Sequence, residues 1–302
     1  MAAPASNLQH LNKAAIETLS LSDAERIIKI RGERWIGYTR AKEILNNMDE
    51  LFNYPTTHRM PNLLIVGRTN SGKTMIANRF ANRHPAVDNA NGDYVSVPVL
   101  MIQAPPGPDE NRFYNSILDK LFAPYKPNEH VSKKQSQVLT LLSRANLKML
   151  IIDEIQHILA GHMEKQRQFL NVIKYLGNEL KVPIVGVGTK ESIRAIQNDP
   201  QLANRFKPAP LPRWKMNDEY LKLLLSFERM LPLKRASNLI ETTMASKLLS
   251  MSEGSIGELA NILREAAVTA VLSKREMIDE KTLEQLNWEL PSRRLSLVES
   301  QI

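Results

Sequence analysis

The chain has 302 residues, 43% of them hydrophobic and 24% charged, a globular mix long enough for two packed domains or one large domain with a helical appendage. Lys and Arg number 40 against 32 Asp and Glu, a net charge of +8 that favours polyanionic partners or is simply a basic surface. The lack of cysteine excludes disulfides, thiolate metal sites and cysteine nucleophiles, and no apolar run reaches the length of a membrane span, so a cytoplasmic protein with no membrane partner is expected.

Residues 1–9 lack the basic stretch and apolar run of a leader. Ile16, Leu19, Ile27 and Ile30, then Ile44, Leu45, Met48, Leu51 and Phe52, recur at helical spacing and predict two helices ahead of the first strand. Tyr54-Pro55 and Met60-Pro61 punctuate the chain. Asn62-Leu-Leu-Ile-Val-Gly67 then reads as a short buried strand running into a glycine loop, with a helix over about 72–82 behind it. Asp93 to Gln103 predicts a second strand, separated by the Pro105-Pro-Gly-Pro108 loop from an amphipathic helix bearing Phe113, Ile117, Leu118 and Leu121. Another helix is expected over Ser132–Arg144.

Leu147 to Glu154 is an apolar run ending in two carboxylates, the pattern of a central parallel strand with a functional tip. Residues 164–180 predict a helix, Val182 to Thr189 a fourth buried strand, and Lys190–Asn198 a short helix. This alternation implies an α/β fold whose parallel sheet is covered on both faces, with ligands beyond the carboxyl ends of the strands. From Asn217 the periodicity is helical only, over 217–230, 238–250, 255–272 and 279–287, which sets a boundary near Pro212. The expected organisation is an N-terminal helical segment over 1–55, an α/β core over 56–212, a helical domain over 213–290 and a polar tail over 291–302 that docks a partner or does nothing.

Gly67, Gly72, Lys73 and Thr74 satisfy G-x-x-x-x-G-K-[ST] between a predicted strand and a predicted helix, as a phosphate-binding loop requires. Gly67, Arg68, Thr69, Asn70, Ser71 and Gly72 can curl their amides around phosphates at a helix N-terminus. Lys73 would reach the β- and γ-phosphates and Thr74 would ligate magnesium, so ATP and Mg2+ are the expected cofactors. Asp153, at the end of an apolar strand, can hold magnesium through water, and Glu154 can orient or deprotonate an attacking water; the alternative is that the pair merely caps a strand. Thr189 ends the next strand, where its hydroxyl either meets the γ-phosphate or the attacking water, or caps a helix. Arg205 is either a surface arginine or one that reaches into a neighbouring subunit's ATP site.

Together Gly67–Thr74, Leu150-Ile-Ile-Asp-Glu154, Val185-Gly-Val-Gly-Thr189, Asn204-Arg-Phe206 and the helical C-terminal segment resemble the AAA+ ATPases. The stretch through the glycine loop, Val97-Pro98-Val99 with its proline-rich loop, Ile151-Ile-Asp-Glu-Ile-Gln-His157 and Glu253-Gly-Ser-Ile-Gly-Glu-Leu259, followed by Leu263-Arg-Glu-Ala-Ala267, is similar to one branch, the TniB/TnsC transposition ATPases, over about 25–290. The resemblance implies a P-loop AAA+ core with a helical lid. It also implies ATP-dependent, non-specific binding of double-stranded DNA, homo-oligomeric rings or helical filaments, and recruitment of a DDE transposase, with a target-selector protein as a possible further partner. Within it Thr189 is the polar sensor of the ATP state and Arg205 the finger supplied in trans. One departure is that Gly254-Ser-Ile-Gly257 lacks the arginine many AAA+ lids direct at the γ-phosphate, and Arg264, lower on that helix, is a poor substitute.

Such a protein needs basic and hydrogen-bonding groups that touch phosphates without reading bases. Asn111 and Arg112 at one helix start, and Ser132, Lys133 and Lys134 at another, are the candidates, in regions where the resemblance also places DNA contacts; the alternative is that the lysines form a solvated face. Trp35, Ile36 and Tyr38 either wall the adenine, as the resemblance implies, or pack in a core. Two competing readings are an initiator or helicase loader, for which the residues beyond Leu290 are too few to build a DNA-reading module, and a scaffold ATPase that binds no DNA.

Overall fold

Leu, Ile and Val dominate the runs that build the central sheet of the computed structural model, which describes residues 8–88 and 95–294. The strands are β1 (Asn62–Gly67), β2 (Val87–Asp88), β3 (Val95–Ser96), β4 (Val99–Gln103), β5 (Met149–Asp153), β6 (Ile184–Gly188) and β7 (Phe206–Leu211). Five of them form a parallel sheet in the order β4-β5-β6-β1-β7. Every residue of β1, β5 and β6 is buried, as strands covered on both faces must be. The order matters for the site, because it sets the carboxyl ends of β5, β6 and β1 side by side.

The helices are α1 (Lys13–Thr18), α2 (Asp23–Arg31), α3 (Thr39–Phe52), α4 (Lys73–Ala81), α5 (Glu110–Lys120), α6 (Val131–Arg144), α7 (Met163–Leu180), α8 (Glu191–Gln197), α9 (Pro200–Ala203), α10 (Asp218–Met230), α11 (Thr242–Ser252), α12 (Ile256–Leu272) and α13 (Glu280–Glu284), with a 3-10 helix over Ile155–Ala160. They divide between two compact units. Residues 40–212 carry the sheet, around a core that includes Ile102, Phe113, Leu150, Ile152, Phe169 and Ile173. The other unit joins the residues up to Thr39 to those from Arg213 onward, around Ile30, Tyr220, Leu224, Leu248, Leu263 and Ala267.

Three features differ from the sequence expectation. The N-terminal stretch forms three helices rather than two, because Ser22 and Glu25 close a capping box that starts a new helix and Gly32 ends it. The second strand is broken: Val95–Ser96 pairs with Val87–Asp88 as a separate hairpin, and Val99 begins the strand of the main sheet. Pro98 between them has no N–H to donate, although its carbonyl accepts from Lys148 and Met149. Asp93 and Tyr94 lie outside the described residues, as do residues 1–7 and 295–302 of the leader and tail readings. The fifth strand, β7, was not anticipated, because Pro208 and Pro210 argue against a strand; it occupies the sheet edge, paired only with β1, where a missing donor leaves no ladder bond unmade.

In the helical unit the buried Arg26 forms a two-pronged pair with Glu276, at 2.9 and 2.6 Å, and donates to the Pro232 carbonyl at 2.8 Å. Buried Glu228 accepts three backbone N–H groups, from Ser237, Asn238 and Leu239, and so shapes the loop after α10. Among the described residues no helix is long and apolar enough to cross a membrane.

Candidate functional site

β1 delivers the chain to a loop whose geometry few residues tolerate. Asn70 and Gly72 both adopt left-handed backbone, at φ 59° and 84°, and a side chain on Gly67 would collide with Ser71 Oγ. α4 then starts at Lys73 with no side chain capping its first amides, which leaves the helix N-terminus as an electropositive end. Lys73 is buried at this turn, and its ammonium donates to the Arg68 carbonyl at 2.7 Å. Thr74 Oγ1 donates to Asp153 Oδ2 at 2.8 Å, joining α4 to the tip of β5.

Burial pushes the Lys73 ammonium below the usual lysine range, opposed by the nearby Glu154 and Asp153 carboxylates. Burial likewise pushes Asp153 up, offset in part by hydrogen bonds from the Thr74 hydroxyl and the Glu154 N–H. Both groups gain by meeting opposite charge. Ser71 Oγ is buried with no hydrogen-bond partner, an orphan polar group that points to a ligand oxygen. Glycine cradle, uncapped helix start, buried lysine and orphan hydroxyl together fit a polyphosphate. Among the described residues no group of three or more His, Asp or Glu is placed to hold a metal ion, so a cation held by Thr74 and Asp153 would take its other ligands from phosphate and water, as magnesium does.

Glu154 follows Asp153 in a left-handed conformation, φ 53° and ψ 36°, which for a residue with a side chain costs on the order of 1 kcal/mol. The turn feeds the 3-10 helix and folds residue 156 back beside residue 154. Gln156 Nε2 donates to the Glu154 carboxylate, and Gln156 Oε1 accepts from the Thr189 N–H at 3.1 Å. The Thr189 hydroxyl donates to Glu191 Oε2 at 2.5 Å, and its carbonyl accepts from Ser192. This bond from Thr189 holds the Glu191 carboxyl below the usual range. Gln156 and Glu191 went unremarked as site residues in the sequence; the available signal was an amide two residues after Glu154, able to donate and accept at once.

Arg205 stands at the other end of the sheet. Phe206, its neighbour, pairs with Asn62 at the start of β1, whereas Gly67 pairs with Leu211, so about 16 Å of strand separates Arg205 from its own glycine loop. Its guanidinium donates to Asn178 Oδ1 on α7 at 2.8 Å.

The two candidate DNA loops divide. Arg112 and Lys133 are exposed, with side chains 67% and 74% accessible, loosely paired to Asp109 and Glu129. Lys134 is a correction to the sequence reading, because its ammonium is fully buried and donates to Asn111 Oδ1 at 2.8 Å, Asn115 Oδ1 at 2.9 Å and the Pro127 carbonyl at 3.0 Å. It also lies over the Tyr125 ring. These bonds tie α5 to α6 and remove Lys134, with the Asn111 oxygen it holds, from contact with a phosphate. Ser132 is engaged with His130, whose ring caps α6.

In the helical unit Ile36 is buried, and Tyr38 packs edge-on against Trp214 at 5.2 Å, so these residues contribute to that unit's core. Arg264 is occupied by the carbonyls of Ala260 and Arg31. At the start of α12, Arg294 forms a two-pronged pair with the buried Glu258.

Residues 26–216 match the family model described as bacterial TniB protein. No curated protein matches the chain. Among solved structures, the chain is similar to the ORC2 protein of Aeropyrum pernix in ADPNP–ADP complexes, at 16% identity and a TM-score of 0.59 over 85% of this chain and 70% of that one. It is similar also to the ORC1 protein of Aeropyrum pernix in complex with DNA, at 15% identity and a TM-score of 0.57 over 91% and 72%. A third similar structure is Cdc6p from Pyrobaculum aerophilum, at 14% identity and a TM-score of 0.60 over 85% and 68%. At these identities the likeness is one of fold, and that fold is the α/β P-loop AAA+ architecture.

Proposed function

We infer that this chain, which belongs to the TniB family of bacterial proteins, is an ATP-dependent regulator of DNA transposition that binds Mg-ATP, assembles with copies of itself on double-stranded DNA and recruits a DDE transposase to the marked target. The observation that carries the reading is the convergence of Lys73, Thr74 and Asp153 beside Glu154, with Arg205 at the opposite end of the same sheet. In this reading Arg205, a strand's length from its own glycine loop, completes the site of a second copy. Its ATP then favours assembly.

In this reading the amides of residues 67–72 and Lys73 bind the phosphates, and Thr74 and Asp153 hold magnesium. Magnesium held there would supply positive charge against the phosphates. Glu154 orients the attacking water and takes its proton, Thr189 senses the γ-phosphate from the tip of β6, and Arg205 of one subunit stabilises phosphoryl charge in the next. Thr189 performs that role only after its hydroxyl leaves Glu191, so occupation of the site and release of Thr189 are coupled. Residues 213–290 serve as the helical domain of this ATPase.

DNA binding rests on the basic net charge and on exposed Arg112 and Lys133, and it is non-specific because these groups meet phosphates rather than base edges. The test is electron microscopy of the purified chain with duplex DNA plus a non-hydrolysable ATP analogue, ADP or no nucleotide. Rings or filaments confined to the ATP state are the expected result; no assembly, together with no retardation of DNA at low salt, refutes the reading.

A further inference from the structure

We propose that Gln156 is a positioning residue for ATP hydrolysis, an amide strut that fixes the Glu154 carboxylate to the tip of β6. The proposal rests on the reading of Glu154 as the group that handles the attacking water. Its basis is a chain of contacts. Gln156 Nε2 donates to the Glu154 carboxylate while Oε1 accepts from the backbone N–H of Thr189, thirty-three positions away in the chain.

Three observations make the strut specific. An amide is the side chain that presents a donor to a carboxylate at one end and an acceptor to an N–H at the other, and the reverse orientation would set acceptor against acceptor and donor against donor. Gly188 supplies the space, since a side chain there would collide with Gln156 Oε1 and would also lie 3.0 Å from Ser192 Cβ. The backbone itself is bent for the purpose: Glu154 takes the left-handed conformation that starts the 3-10 helix and returns residue 156 to residue 154.

The remaining polar groups of Thr189 are committed elsewhere, its hydroxyl to Glu191 and its carbonyl to Ser192. Gln156 therefore links the carboxylate just beyond β5 to the residue just beyond β6 through one planar amide, and β6 lies between β5 and β1 in the sheet. Holding a base in register is worth a great deal, because a displacement of about 1 Å costs on the order of 100-fold in rate.

The test compares the wild type with Gln156→Met, Gln156→Glu, Glu154→Gln and the double variant Gln156→Met with Glu154→Gln. Steady-state kcat and KM for ATP, affinity for a fluorescent ATP analogue and thermal melting are read for each. Gln156→Met is expected to lower kcat about 10- to 100-fold while KM, nucleotide affinity and melting stay near wild type. Gln156→Glu keeps the shape and the acceptor toward Thr189 but loses the donor, so it should fall by a similar factor, and it serves as the test if the methionine variant does not fold. In the Glu154→Gln background the methionine should cause no further loss, because the strut acts only through Glu154.

Unchanged kcat in either single variant overturns the proposal. So does an additive loss in the double variant, or a loss of affinity and stability that parallels the loss of rate, since a merely structural role predicts both. If Glu154→Gln itself turns over at the wild-type rate, it is the reading of Glu154 that fails, a result separable from a normal Gln156→Met beside a slow Glu154→Gln.

Discussion

Thr74 Oγ1 and Asp153 Oδ2 lie 2.8 Å apart, linking the first turn of α4 to the tip of β5 across 79 positions of the chain. The bond brings the two residues proposed to hold magnesium together, a donor facing a buried carboxylate, and it orders both side chains. Thr74→Ala is expected to keep binding nucleotide but to lose the gain in ATP affinity that magnesium confers, measured by titrating a fluorescent analogue with and without EDTA. Lys73→Ala should weaken binding at least about 100-fold whatever the metal, because a charged contact to phosphate is removed from a buried position. An undiminished magnesium effect in Thr74→Ala would remove this residue from the cation site.

Glu154 lies beside Asp153 yet has a different environment, with its carboxylate held by Gln156 rather than by Thr74. Glu154→Gln is therefore expected to bind ATP as tightly as wild type and to hydrolyse it about 100- to 10,000-fold more slowly, as loss of a general base would dictate. In the assembly assay it should form longer-lived rings or filaments. Phosphate release near the wild-type rate would exclude the assigned role.

About 16 Å of strand separates Arg205 from its own glycine loop, so the catalytic role proposed for it requires a second copy. Arg205→Ala and Lys73→Ala should each be inactive alone, and mixed they should recover part of the turnover, since one supplies an intact phosphate site and the other an intact arginine. Arg205→Ala also loses the bond to Asn178, so its melting temperature is the control. A mixture as inactive as its parts, with both variants folded, argues that the arginine acts on its own subunit's structure alone.

Lys133 and Lys134 are adjacent in sequence and opposite in consequence. Lys133→Ala removes one exposed cation, so it should weaken non-specific DNA binding evenly across sequences and lower the salt slope by about one, with melting unchanged. Lys134→Met strands the carboxamide oxygens of Asn111 and Asn115, and should cost about 2–4 kcal/mol of stability, read by urea denaturation followed by far-ultraviolet circular dichroism. If Lys134→Met retains stability and loses DNA affinity, the buried assignment is wrong.

What the sequence made legible follows from how many residues a feature needs. β1, β5 and β6 are buried on both faces, so their apolar runs stand out, and the glycine loop shows because a left-handed Gly72 and a crowded Gly67 admit few substitutes. The edge strand β7 was hidden because Pro208 and Pro210 are permitted only where no further neighbour exists, and position in a sheet is a tertiary fact. Burial of Lys134 was equally unreadable, since Asn111, Asn115 and the Pro127 carbonyl must first be gathered by two packed helices. Gln156 depends on a single left-handed residue, Glu154, that no periodicity announces.

Arg26 and Glu276 give the helical unit a measurable acid sensitivity. Burial alone would raise the Glu276 carboxyl, but hydrogen bonds from Arg26 and the Lys234 N–H, with the charges of both residues, bring it below its ordinary value of 4.5. A carboxyl depressed in the folded state binds its proton more readily in the unfolded chain, so the stabilisation is complete above about pH 4.5 and is lost as pH falls through the folded-state value. Glu276→Gln takes the two-pronged partner from buried Arg26, leaving it the half-exposed Asp23 at 3.2 Å, and should cost about 3 kcal/mol at pH 7. Trp35, Trp214 and Trp288, the chain's 3 tryptophans, all belong to the helical unit, so their fluorescence during urea titration follows this unit. The gap between wild type and Glu276→Gln should hold from pH 7 down to about pH 4.5 and narrow as pH falls further through the folded-state value, because protonation does to the wild type what the substitution does permanently; a gap that is constant with pH would show that the pair contributes packing alone.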